Sequence, residues 1–153
     1  MKQSMLIATC ALLLLVAGCN DKNKPETITG NVAAPAWTAP EKYDMTSSMT
    51  AIIRVDLSVN YPDQVAKAQW QVAEGDVLAA FSGETCLGVA ELVDGLYYLY
   101  ITAPSEGTNV KLKYYSAALK NIFVSEPITY SNDAHLGSES APYIPSLTVQ
   151  AGK

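Results

Sequence analysis

An all-β fold is predicted by this sequence: an antiparallel β-sandwich of about seven or eight strands, immunoglobulin-like or jelly-roll-like. Three observations predict it. Apolar and polar residues alternate with period 2 in several separate runs. Turn signals punctuate the chain roughly every 8–12 residues. No long amphipathic helix and no internal repeat accompanies them.

The first run is the longest. Met49, Ala51, Ile53, Val55, Leu57 and Val59 alternate with Thr50, Arg54, Asp56 and Ser58, which predicts a strand over 49–59 with one buried face. Residues 60–75 break the pattern, with Pro62-Asp63 opening a turn and a short helical turn expected over 64–69. Val77–Phe81 is the next strand, and Ser82-Gly83-Glu84 turns the chain. A strand over 86–93 follows, with Gly88 marking a bulge or a close backbone approach. Asp94-Gly95 between two β-prone runs predicts a type I′ hairpin, because both central positions of that turn need positive φ. Leu96–Thr102 and Val110–Tyr115 are the two strands richest in tyrosine. Ile122–Ser125 and Ile128–Tyr130 are two short strands, or one strand bent at Pro127. Residues 131–146 read as loop, and Leu147–Gln150 as a last edge strand. Met49, Ile53, Val55, Leu57, Phe81 and Leu112 are the expected core.

The start of the chain has a different character. Lys2 precedes an apolar run, Met5 to Val16, which is too short for a permanent membrane helix and fits the core of a secretion signal. Leu15-Val16-Ala17-Gly18-Cys19 then resembles the lipobox of bacterial lipoproteins. The resemblance implies cleavage before Cys19 and a diacylglycerol on its sulfur. Two or three acyl chains hold a protein on a membrane where one chain binds only marginally. Asn20 does not match the aspartate of the inner-membrane retention signal, so the expected location is the outer membrane, by a lipid anchor. The expected organisation is a signal peptide at 1–18, a lipidated cysteine and flexible linker at 19–40, and the sandwich at 41–150. The linker holds three prolines, and Trp37 near its end is expected to dock on the domain.

Composition excludes several functions. Lys2 is the only charged residue of 1–18, so removing that segment changes the formal net charge from −5 to −6. An acidic domain argues against nucleic acid as a partner. Beyond Cys10 and Cys19 only Cys86 remains of the three cysteines, which excludes an intramolecular disulfide and a cysteine zinc site. Nothing beside Cys86 lowers its pKa, so it reads as a buried structural thiol.

His135 is the single histidine, in Asp133-Ala134-His135, with Asn132, Ser138 and Glu139 nearby. No nucleophile elbow or zinc-type histidine pair accompanies it, and the plainer reading is an exposed loop. Asp76, Glu84, Glu91 and Asp94 are spread over strands and turns and carry no readable glycosidase pair. The reading is therefore a protein that is not an enzyme and has no cofactor or metal site. Its functional material is aromatic: nine tyrosines, two tryptophans and two phenylalanines. Trp70, Tyr61, Tyr97 and Tyr115 are the candidate ligand-binding residues, because flat rings beside polar groups suit a sugar-binding face.

The domain also resembles a β-module found in secreted and surface proteins of Bacteroidota. The resemblance runs over 37–145 and is carried by the order of its pieces: Trp37, Pro40 and Tyr43; Ser48–Ala51; Gly75–Phe81; Gly83–Ala90; Asp94–Leu99; Lys113–Ser116; and Gly137 before Pro142. That family often has arginine where Leu87 stands here. The resemblance implies a β-sandwich outside the cytoplasm and brings no catalytic residues. Taken together, the expectation is a lipid-anchored binding or accessory module of a transporter complex that captures nutrients such as glycans or peptides. A structural or adhesive surface lipoprotein that binds another protein is the alternative.

Overall fold

The computed structural model describes residues 27–41 and 47–151. The expected signal peptide, Cys19 and the first part of the expected linker lie outside them. Two sheets pack face to face as an all-β sandwich, with 40 % of the described residues in strands and 8 % in helix. The strands are β1 (Ser48–Ile53), β2 (Val77–Ser82), β3 (Thr85–Val89), β4 (Glu91–Val93), β5 (Leu96–Thr102), β6 (Asn109–Ser116), β7 (Asn121–Ser125), β8 (Ile128–Thr129), β9 (His135–Leu136) and β10 (Leu147–Val149). Sheet A has the order β4-β5-β1-β9, and sheet B the order β10-β7-β6-β2-β3 with β8 also on β6. All pairings are antiparallel except β1 with β9.

The first expected strand is shorter than its alternation suggests. β1 ends at Ile53, where its partner β5 also runs out at Tyr97. Asp56 then accepts hydrogen bonds from the Ser58 amide and hydroxyl at 2.9 and 2.5 Å and starts a 3₁₀ turn at Leu57–Val59. Val55 and Leu57 are buried all the same, as are Met49, Ile53 and Leu112. The expected helical turn is a seven-residue helix, α1 (Pro62–Ala68), with proline at its start and Gln69 in the left-handed region at its end.

The expected strand over 86–93 is two strands, parted at Ala90, two residues beyond Gly88. A register shift lies opposite Ala80 and Phe81, which face Gly88 and Cys86 and leave Leu87 as the extra residue. A Cβ on Gly88 would sit 1.9 Å from the Tyr100 carbonyl oxygen, so only glycine lets β3 lie this close to β5. The chain thereby crosses from sheet B to sheet A and closes one side of the sandwich. The Asp94-Gly95 turn has the expected geometry, with φ of 49° and 79°. At Pro127 the ladder of β6 loses a donor. β7 ends there and β8 begins beyond it, and the Ser125 hydroxyl accepts from the Leu112 amide at 2.9 Å across the gap.

One expectation about organisation changes. The flexible linker was to reach residue 40, yet Ile28 is 2 % exposed and belongs to the core. The Gly30 and Val32 amides donate to the Leu119 and Lys120 carbonyls, both at 2.8 Å. Trp37 meets the Phe81 ring edge-on at 5.3 Å. Residues 28–37 are thus a strap fixed to sheet B. Their proline and small-residue composition hid this, because a strap held by backbone bonds needs few apolar side chains.

Candidate functional site

The strap makes the two outer faces unequal. Alternate residues of β2 and β6 point away from the interior, among them Ala79, Phe81 and Tyr115. All three are buried, yet none belongs to the cluster between the sheets. The strap covers two of them: Trp37 packs on Phe81, and the Tyr115 hydroxyl donates to the Val32 carbonyl at 3.3 Å.

Three of the four candidate ligand-binding aromatics are therefore corrected to buried positions. Tyr115 is on an outer face as expected, but it is 4 % exposed under the strap. Tyr61 is 2 % exposed, packs edge-on against Phe123 at 6.1 Å, and its hydroxyl accepts from the Val149 amide at 2.9 Å. Tyr97 is 1 % exposed because it shares the inward face of β5 with Leu99 and Ile101. Trp70 is half-buried. Its indole N–H donates to the Ser116 hydroxyl at 3.1 Å and its ring meets Tyr114 edge-on at 6.2 Å, the geometry of a cover on the end of the core.

The same parity puts two other tyrosines outside. Tyr98 and Tyr100 lie on the outer face of sheet A, and Tyr100 is 50 % exposed. Across the face, Tyr100 sits opposite Thr50, which sits opposite His135. In the next row Glu91 sits opposite Tyr98, which sits opposite Ile52. Thr50, Ile52, Tyr98 and Tyr100 line an open depression of about 220 Å³. The Tyr98 hydroxyl donates to Glu139 at 2.9 Å, which pushes the phenol pKa up, and the Thr50 hydroxyl is 2.5 Å from His135 Nδ1. The face so combines two rings, an apolar floor and a rim of carboxylate and imidazole. The parity was readable, because Leu99 and Ile101 had to be inside.

Other candidates resolve to structure. The Asp76 carboxylate accepts from the Tyr114 hydroxyl, from the Ala73 amide at 3.0 Å and from the Ala117 amide at 2.8 Å. Burial pushes the Cys86 thiol pKa up, and the thiol lies 3.6 Å from the Gly88 carbonyl. Among the described residues no group of three or more His, Cys, Asp or Glu side chains is placed to hold a metal ion. No family model matches the chain, and the comparisons with curated proteins and solved structures found no match.

Proposed function

We propose that this chain is a lipid-anchored, non-catalytic module of the outer membrane that captures a glycan on the outer face of sheet A and serves a nutrient-capture transporter complex. One observation carries the binding reading: the strap roofs the aromatic part of the outer face of sheet B, at Phe81 and Tyr115, whereas the outer face of sheet A is open at its tyrosines, Tyr98 and Tyr100. Two residues apart on one strand, their Cα atoms stand about 6.4–6.8 Å from each other. Sugar rings present C–H faces to aromatic rings and hydroxyls to a polar rim, and this face supplies both. The lipobox supports the anchor, and the Bacteroidota resemblance supports an exterior location.

Two measurements test this reading. Cys19→Ala is expected to release the protein from membranes or leave an unprocessed precursor, read by fractionation and by labelling with a palmitate analogue. Persisting label and membrane association in the variant would reject the anchor. The purified lipoprotein is expected to bind neutral oligosaccharides on an array, and Tyr98→Ala or Tyr100→Ala to weaken that binding at least about tenfold, as loss of an aromatic hot spot does. Capture of an adhesin rather than a transporter from solubilised outer membrane, with no glycan bound, would replace the proposal with the adhesive alternative.

A further inference from the structure

The outer face of sheet B keeps one part open. Asn109, Lys111 and Lys113 occupy alternate positions of β6 and so share this face. With Phe81, Glu84 and Gln150 they line a depression of about 440 Å³, a volume within the usual range of small-molecule sites. Lys113 is not an ordinary surface lysine. Its side chain is 16 % exposed, and its ammonium lies 4.4 Å from the centre of the Phe81 ring, which Trp37 of the strap holds in place. The ring quadrupole attracts the cation and fixes its position. The nearest carboxylate, Glu84, is 3.8 Å away on a side chain that is 82 % exposed, so this pair is weak and solvent-screened. Lys111 adds a second ammonium and is exposed.

We propose that this depression is a binding site for the carboxylate of a uronic acid residue. The two ammonium groups take the carboxylate. The Asn109 and Gln150 amides, each donor and acceptor, suit the hydroxyls of the same ring. In a chain whose formal net charge is −5, a depression with two lysines and one carboxylate favours an anion. The site lies on the sheet opposite to the tyrosine face and stands or falls independently of it.

The test is an amide-resolved NMR titration of the full mature chain, carrying Cys19→Ala for solubility, with D-galacturonate, D-galactose and trigalacturonate. Galacturonate is expected to shift the amides of Asn109, Lys111, Lys113 and Gln150, and galactose to bind at least about tenfold more weakly. Lys111→Gln and Lys113→Gln should each weaken galacturonate about tenfold, whereas Glu84→Gln should tighten it severalfold by removing the competing carboxylate. Tighter binding of trigalacturonate identifies an acidic glycan chain as the source, and equal binding identifies the single sugar acid; both support the site. Equal affinity for galactose, unchanged affinity in both lysine variants, shifts confined to Tyr98 and Tyr100, or no shifts at all would overturn it. A collapsed spectrum in Lys113→Gln leaves Lys111→Gln and Glu84→Gln to decide.

Discussion

The Tyr114 hydroxyl donates to the Asp76 carboxylate inside the sandwich, so a residue of β6 is tied to the turn that precedes β2. Asp76 is 9 % exposed, and a carboxylate taken that far out of water needs its donors. Tyr114→Phe keeps the ring and removes one of them. It should cost about 1.5–3 kcal/mol, the usual range for a hydrogen bond to a charged group. Tyr97 is the internal control. It lies 6.2 Å from Tyr114, ring to ring, but its buried hydroxyl makes no well-formed hydrogen bond. Tyr97→Phe should therefore leave stability unchanged or raise it. Urea unfolding of both variants checks the contrast, and equal losses would contradict it.

The same two phenols set an alkaline limit. Burial, with the Asp76 charge next, pushes the Tyr97 pKa well above its usual value of about 10. Burial and the bond to Asp76 do the same to Tyr114. Both remain protonated in the folded chain at pH values where the unfolded chain loses those protons. Their contribution is complete below about pH 10 and is lost as pH rises beyond it, by up to about 1.4 kcal/mol per pH unit for each phenol. Thermal midpoints measured from pH 8 to 11 should bend downward near pH 10, and Tyr97→Phe should lessen the slope.

How much of this was legible depends on what each residue needed. β5 was placed to the residue by its run of tyrosines and β-branched residues, and β6 within one residue at each end by the alternation of Val110, Leu112 and Tyr114 with Lys111, Lys113 and Tyr115. Period 2 overran β1, since Val55 and Leu57 keep the apolar rhythm after Asp56 has bent the chain. Exposure of the aromatics was the least legible feature. Tyrosine suits either face of a strand, and only parity relative to Leu99 and Ile101 separates Tyr97 from Tyr98. Tyr115 needed more than parity. What covers it arrives from residue 32, more than eighty positions earlier, and no local pattern announces a cover of that kind.

Gly88 offers a sharp test of how the sandwich closes. Its Cβ position is occupied by the Tyr100 carbonyl oxygen, which belongs to the backbone of β5 and has no rotamer to change. Gly88→Ala must push β3 and β5 apart, at the upper end of the roughly 1–3 kcal/mol that overpacking costs or beyond it. Gly83 is the comparison, with open space where its Cβ would go and a turn φ of 59° as its only constraint. Gly83→Ala should cost less, since its penalty is conformational alone. Chemical denaturation of the two variants ranks them, and the reverse order would mean that Gly88 does not set the approach.

The strap predicts behaviour that a free tether would not show. Ile28 is 2 % exposed and sits in the core cluster, whereas Val32, four residues on, is 37 % exposed. Ile28→Ala removes buried methyl groups and leaves a cavity, at a cost of about 2–5 kcal/mol. Val32→Ala should stay within about 0.5 kcal/mol, because what Val32 contributes is its backbone: its amide donates to Lys120 and its carbonyl accepts from Tyr115. Trp37→Ala should fall between the two and also expose Phe81, which is now 5 % exposed beneath its edge. Loss of that support loosens the Lys113 ammonium, so Trp37→Ala should weaken galacturonate binding as well as stability. Denaturation midpoints for all three, measured on the chain from residue 19 onward, separate the possibilities. If Ile28→Ala unfolds at the wild-type midpoint, residues 28–37 do not belong to the folded unit and the roof over sheet B is not a fixed part of it.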